Sequence, residues 1–192
     1  DNNLVGLNIT MPYKEKIIPY LNFPHIQQIP GKTDYQTISL SDSAETIGAV
    51  NWIYRSENRP NTWSGHNSDH FGFGETLKRF DLENKRKKNI AIVIGYGGAS
   101  KAIIHSLNID GYKKIKLFNR SYGKIKRKFV STPHDHRIET HALEDLEKHT
   151  HGADIIINTT PVNTLNKPKK WNISSNTIGF DAVYRPRGGT GF

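Results

Sequence analysis

Lys14 and Asp69 are the side chains of this sequence best suited to proton chemistry, and Asn8, Thr10, Asn51 and Asn67 are the polar residues that could surround a small ligand beside them. Reduction of a carbonyl needs a proton donor next to the developing alkoxide. An ammonium held near a carboxylate can give up a proton and can also stabilise negative charge. The sequence leaves both roles open for Lys14. It also leaves open two plainer readings: a surface helix lysine beside Glu15 and Lys16, and a helix cap at Asp69.

A second cluster has a different chemistry. Gly95-Tyr96-Gly97-Gly98-Ala99-Ser100 follows the apolar run Ile90–Ile94 and has the spacing of a dinucleotide-binding turn with a small residue at its third site. Gly95 permits the tight turn and Gly97 lets a phosphate approach the backbone. A helix beginning near Gly98, with Ala99 and Ser100 in its first turn, aims free amides at a pyrophosphate. The competing reading is an ordinary strand-to-helix turn. After the next apolar run come Asn119, Arg120, Ser121 and Lys124. An NAD site usually places a carboxylate there for the ribose hydroxyls, whereas a guanidinium and an ammonium suit a 2′-phosphate, which favours NADP. Solvated surface charges are the plainer alternative. Thr159, Thr160 and Pro161 follow the apolar run ending at Ile157, which puts them at the carboxyl end of a sheet where ligands of open α/β folds bind; an ordinary polar turn closed by Pro161 reads as well on its own. Joined to the amine and acid of the first segment, this cradle suggests hydride transfer to or from a small oxygenated substrate.

The elements that position these residues are legible in outline. Leu4–Ile9 is apolar enough for a strand, Pro12 suits the first position of a helix, and Pro19 keeps that helix brief. Ile47–Tyr54 and Thr62–His66 read as strands, and Pro24–Ser41 as a surface loop. Ser68 or Asp69 caps a helix running through Phe71, Phe73 and Leu77 to about Phe80. The polar stretch Glu83–Lys88 is the domain boundary, giving a substrate-binding domain over 1–80 and a dinucleotide-binding domain over 81–192. Beyond it strands and helices alternate: strand Ile90–Ile94, helix Ala99–Leu107, strand Ile115–Phe118, helix Tyr122–Val130, short helix Ala142–Lys148, and strands Ala153–Ile157 and Thr177–Val183. Fully apolar strands separated by helices imply a parallel sheet covered on both faces. The fold class is therefore α/β, a Rossmann-like doubly wound domain preceded by an incomplete α/β domain.

Composition narrows the partners. The 192 residues carry 27 Lys plus Arg against 18 Asp plus Glu, so the protein attracts anions: nucleotide phosphates, an acidic metabolite or nucleic acid. There is no cysteine, which excludes disulfides, thiolate metal sites and thiol nucleophiles and makes a reducing cytoplasm the easiest compartment. No metal site is expected. No apolar run approaches ~18 residues, so membrane insertion is not supported. The residues carry no signal of oligomeric state. Asp1 in place of Met and a glycine-rich end at Phe192 read as the ends of a fragment.

Seven segments, taken in order, resemble the motifs of shikimate dehydrogenases: Gly6–Lys14, Ile47–Asn51, Gly65–Asp69, Gly95–Ala102, Asn119–Ser121, Asn158–Pro161 and Asp181–Pro186. They span nearly the whole chain. The resemblance implies a two-domain enzyme that reduces 3-dehydroshikimate to shikimate with NADPH in aromatic amino-acid biosynthesis. It implies that Lys14 and Asp69 form the catalytic pair, that Asn8, Thr10, Asn51 and Asn67 hold the substrate, and that Tyr184 lies near it. A serine-containing motif before Asp1 and helices after Phe192 belong to the family pattern. The sequence departs from that pattern at Trp52 and Ser68, where Thr is common, at His70 and Asn163, where Gly is common, and at Thr164, where Met is common. Two rivals remain. One is a quinate/shikimate dehydrogenase using NAD or NADP. The other is a non-catalytic nucleotide- or nucleic-acid-binding protein, suggested by Lys85-Arg86-Lys87-Lys88; a basic linker explains those four residues more simply, and nucleic acid is not the expected partner.

Overall fold

The computed structural model describes residues 5–21, 25–29, 32–55, 62–84, 87–130, 136–160 and 171–182. They form two compact units, Asp1–Phe73 and Gly74–Phe192. The division falls inside helix α4 (Asp69–Asn84). This helix runs past Phe80 because Asp81, Leu82, Glu83 and Asn84 include neither Gly nor Pro to stop it. Phe73 and Leu77, four apart on one stripe, are buried, while Phe71 is 65% exposed; residues two apart on a helix face different ways.

The first unit is a mixed five-stranded sheet in the order β1 (Gly6–Asn8), β4 (Trp52–Arg55), β5 (Thr62–His66), β3 (Lys32–Leu40), β2 (His25–Ile29). Only the β3–β5 pair is parallel. The segment expected to be a loop, Pro24–Ser41, is thus largely the β2–β3 hairpin, with His25 opposite Gln36 and Ile29 opposite Lys32. Thr33, Tyr35, Thr37 and Ile38 are residues that favour a pleated strand, and Pro30-Gly31 stands between the two arms. One face of the sheet carries a core of Leu21, Ala44, Val50 and Ile53, with Ile9, Ile17, Ile18, Leu40 and Trp63 against it. On the other face the Trp52 ring lies 4.9 Å from that of Tyr54, which stacks at 5.3 Å on His66. Trp52 therefore points away from the side of its neighbours Asn51 and Ile53.

Short helices frame this sheet. Pro12 is the N-cap of α1 (Tyr13–Lys16), one position before the expected one, and Pro19 sits in the first turn of α2 (Ile18–Leu21), where its missing N–H leaves no helical bond unmade. A helix not foreseen, α3 (Asp42–Ile47), takes Ile47 out of the expected strand. Ser41 caps it by accepting a bond from the Ala44 amide at 3.3 Å, and Gly48 ends it in the left-handed conformation at φ 65.

The second unit is an all-parallel sheet in the order β10 (Ile178–Asp181), β9 (Ile155–Asn158), β6 (Ile90–Ile94), β7 (Lys114–Asn119), β8 (Ile138–Ala142). Helices α5 (Gly98–Ile109), α6 (Tyr122–Val130) and α7 (Leu146–His149) alternate with the strands. Ala91 to Ile94 in the central strand are wholly buried, as expected for a parallel sheet with two covered faces. Ala142 closes the unforeseen strand β8 instead of opening a helix, and a 3₁₀ turn, Leu143–Asp145, leads from it into α7. In β8 only Ile138 is a large apolar residue, and all five residues are half-buried, so the edge strand has a weak sequence signal. The last strand ends at Asp181; Val183 lies outside the described residues. From β6 the chain builds outward through β7 and β8, then crosses to β9 and β10. The reversal of strand order between β6 and β9 is the point at which such a sheet opens a crevice at its carboxyl edge.

Candidate active site

In the first unit, main-chain bonds set the scaffold before any side chain is considered. Ile9 N donates to Asn51 O at 2.7 Å, Val50 N to Lys14 O at 2.8 Å and Asn51 N to His66 O at 3.0 Å. The loop that follows α3 thereby joins α1 to the end of β5. On this frame Lys14 Nζ reaches Asp69 Oδ2 at 2.6 Å across 55 residues of sequence. The lysine side chain is 20% and the aspartate 29% exposed, which leaves the pair open to a ligand and partly sheltered from water. Asp69 opens α4, where a helix best accommodates negative charge.

The other carboxylate oxygen is held as firmly. Asn51 Nδ2 donates to Asp69 Oδ1 at 2.8 Å and to Ser68 Oγ at 3.0 Å, and Asn51 Oδ1 accepts from the Ser68 amide at 2.9 Å. Asn67 is 2% exposed; its Oδ1 accepts from the Asp69 amide at 3.1 Å while its Nδ2 donates to Ala49 O at 3.0 Å. Lys14, Asn51, Asn67 and Asp69 are thus brought together, with Ser68 as a partner that sequence reasoning did not single out as a site residue. The Asn-Ser-Asp run directly after a strand was its available signal. Asn8 and Thr10 are exposed on the segment leading into α1, and the Thr10 carbonyl accepts from the Tyr13 amide at 2.8 Å. His70 follows the acid; burial pushes its imidazole pKa below the ordinary value and the Asp69 carboxylate partly opposes this. Tyr184 lies outside the described residues.

In the second unit Gly95 leaves β6 at φ 105, a left-handed conformation. A side chain there would collide with Thr159 Oγ1 and come within 3.2 Å of Thr160 Cγ2, whereas a Cβ on Gly97 would meet nothing within 4 Å. One glycine makes the turn and the other leaves open space above it. Gly97 is the N-cap of α5, with no side-chain cap and no acidic residue in the first helical turn, so the first amides face that space without a competing carboxylate. Ser100 is buried and its hydroxyl donates to Gly95 O at 2.7 Å, so it braces the turn. Gly98 and Ala99 are half-buried.

At the end of β7 the Asn119 side chain accepts from the Ser121 amide at 2.8 Å, a turn that leaves Arg120, Ser121 and Lys124 exposed. Because Ile94 and Phe118 are register partners, these residues stand at the same edge of the sheet as the glycine turn. Thr159 donates twice to Ile94 O, from its amide at 2.9 Å and its hydroxyl at 2.7 Å. Thr160 is tied to Asn158; Pro161 lies outside the described residues. Lys101, one turn into α5, stands 5.3 Å over the Tyr96 ring, a cation–π contact. The open space over Gly97, the uncapped helix start and the cationic β7 turn fit a phosphorylated dinucleotide. Among the described residues no cluster of His, Asp and Glu is arranged to hold a metal ion, and no helix is long and apolar enough to cross a membrane.

An open parallel sheet with this strand order, whose first strand feeds a glycine turn and helix, defines a Rossmann-type α/β protein. The family description "shikimate/quinate 5-dehydrogenase" matches residues 76–173, just over half of the chain. The chain belongs to that family. It is 33% identical over 187 residues to the shikimate dehydrogenase (NADP(+)) of Dictyoglomus thermophilum, covering 96% of this chain and 60% of that one. It is 35% identical over 187 residues to the protein of the same name from Clostridium beijerinckii, covering 95% and 59%. Among solved structures, shikimate 5-dehydrogenase from Listeria monocytogenes, in complex with shikimate and NAD, superposes with a TM-score of 0.67 at 27% identity, covering 96% of this chain and 61% of that one. The chain spans about 60% of the length of the curated relatives it matches.

Proposed function

We propose that this chain carries the catalytic pair and the cofactor cradle of an NADP-dependent shikimate dehydrogenase, which interconverts 3-dehydroshikimate and shikimate in aromatic amino-acid biosynthesis. The observation that carries the reading is the Lys14 Nζ to Asp69 Oδ2 contact of 2.6 Å, an ammonium and a carboxylate held together where a small ligand can reach them. NADPH, when bound in the second unit's cradle, would supply the hydride. Lys14 donates a hydrogen bond and then a proton to the carbonyl oxygen as charge develops on it, or stabilises that charge as an ammonium, while Asp69 orients the amine. Asn51 and Asn67 keep Asp69 in place, Asn8 and Thr10 supply contacts to the substrate's hydroxyls, and Tyr184 would lie near the substrate.

The cofactor assignment rests on the residues at the end of β7. Asn119-Arg120-Ser121 and Lys124 offer cations and no carboxylate, which suits a 2′-phosphate and is unhelpful to the bare ribose of NAD. Gly95, Gly97, Gly98 and Ala99 would lie under the pyrophosphate, with Thr159, Thr160 and Pro161 beside it. The substrate-binding and cofactor-binding regions are assigned to 1–80 and 81–192, and a reducing cytoplasm suits a chain without cysteine. The test is the NADPH absorbance band. Shikimate with NADP should raise it and quinate with NAD should leave it unchanged; growth with quinate alone would replace the reading by the quinate enzyme, and no growth with either pair would refute it.

A further inference from the structure

We propose that Asn158, held by Asp181, is a positioning residue of the cofactor cradle: it fixes the Thr159–Thr160 loop against Gly95 and thereby keeps the glycine turn in the shape that admits the phosphates. This rests on the reading of the second unit as an NADP site.

Asn158 ends β9 after three buried isoleucines and is itself only 1% exposed. A buried amide left without partners is destabilising, so its bonds are informative. Nδ2 donates to Asp181 Oδ1 at 3.2 Å, and Oδ1 accepts from both the amide and the hydroxyl of Thr160, at 3.1 and 2.7 Å. Only one orientation of the amide satisfies these contacts. Turned over, its oxygen would face the Asp181 carboxylate and its NH₂ would face the Thr160 N–H. The carboxylate on β10 and the Thr160 amide thus select the same orientation of Asn158, each reinforcing the other. The main chain joins the same two strands at this level, Ala182 N donating to Asn158 O at 2.9 Å.

The consequence passes to Gly95 through contact. Thr159 is fixed by two bonds to Ile94 O, at 2.9 and 2.7 Å, and its hydroxyl occupies the space a Cβ on Gly95 would need. Thr160 Cγ2 stands 3.2 Å from the same point. From the other side the Ser100 hydroxyl holds Gly95 O at 2.7 Å. The turn is gripped between α5 and the loop after β9, so a displacement of that loop is a displacement of the turn. Asn158 and Asp181 need not touch the ligand to govern its binding.

The experiment is a calorimetric titration of NADP+ into the wild-type protein, Asn158→Asp, Asp181→Asn and the double variant, with melting temperatures for all four. Asn158→Asp sets two carboxylates against each other and should raise the Kd by about tenfold or more. Asp181→Asn keeps an acceptor and should bind within about threefold of wild type. The double variant restores a donor–acceptor pair with the roles exchanged and should return the Kd to within about threefold of wild type. Wild-type affinity in Asn158→Asp overturns the proposal, as does a double variant that regains melting temperature without regaining affinity. Should Asn158→Asp fail to fold, the double variant decides: folded with near wild-type Kd it supports the proposal, and unfolded it overturns it. A wild-type protein that binds no NADP+ refutes the cofactor reading itself and the proposal with it, a result distinct from all the others.

Discussion

Asp69 receives a hydrogen bond on each oxygen, from Lys14 and from Asn51, and its amide is held by Asn67. An acid so constrained can orient one amine and little else, and Lys14 is the member of the pair with protons to donate. Lys14→Ala and Asp69→Ala should each lower kcat by about 100-fold or more and leave the Kd for NADP+ within about twofold; a variant with wild-type turnover would remove its residue from the catalytic role. Arg120 gives a separate check. Its loss should weaken NADP+ by about tenfold or more, the worth of a charge-assisted hydrogen bond, with NAD+ little changed, and equal losses would withdraw the 2′-phosphate argument. At this scale residue type alone did not single out Lys14 and Asp69, since lysines and acids are plentiful in the chain and a surface lysine and a helix cap read as well; the order of the motifs around them did. The sequence was least readable where a polar residue acts inward. Ser68 and Asn158 gave no hint of their bonds to Asn51 and Asp181, because those partners are distant in sequence.

Elements were legible where apolar runs are continuous, as in β6 and β9, and obscure where strands are half-polar. The β2–β3 hairpin is polar enough to pass for a loop, and β8 has one large aliphatic residue. α3 is announced only by its ends, Ser41 and Gly48. β8 also carries a testable feature. His141 stacks on Phe118 at 5.0 Å and its ring lies 4.4 Å from that of His149. Burial lowers its pKa from the ordinary 6.5, the His149 charge adds to this, and Glu139, opposed by Lys116, works the other way. The folded state thus takes up this proton less readily than the unfolded chain. Above pH 6.5 both forms are neutral and stability is complete; as pH falls through 6.5 the unfolded chain is protonated first and stability is lost. The melting temperature should therefore drop on acidification, and the drop should be shallower in His141→Gln. An unchanged slope would remove His141 as its cause; some slope remains in that variant because His70 is shifted in the same direction.

Over the whole molecule, two units each possess a sheet and a buried core, so all-or-none unfolding is not the default expectation. Trp52 and Trp63 lie in the first unit and Trp171 in the second. In Trp171→Phe, fluorescence reports the first unit alone, and its urea transition should separate from the circular-dichroism transition of the whole chain; coincident curves would mean one cooperative block. The surplus of positive charge, 27 basic against 18 acidic residues, is consistent with phosphorylated and carboxylate ligands and does not by itself choose among them. One main-chain bond has the widest reach. Val50 grips residue 14 by its carbonyl, a group every amino acid possesses, so that point of the backbone is a socket indifferent to what is plugged into it. A substitution of the side chain at position 14 should therefore leave this anchor of the backbone in place.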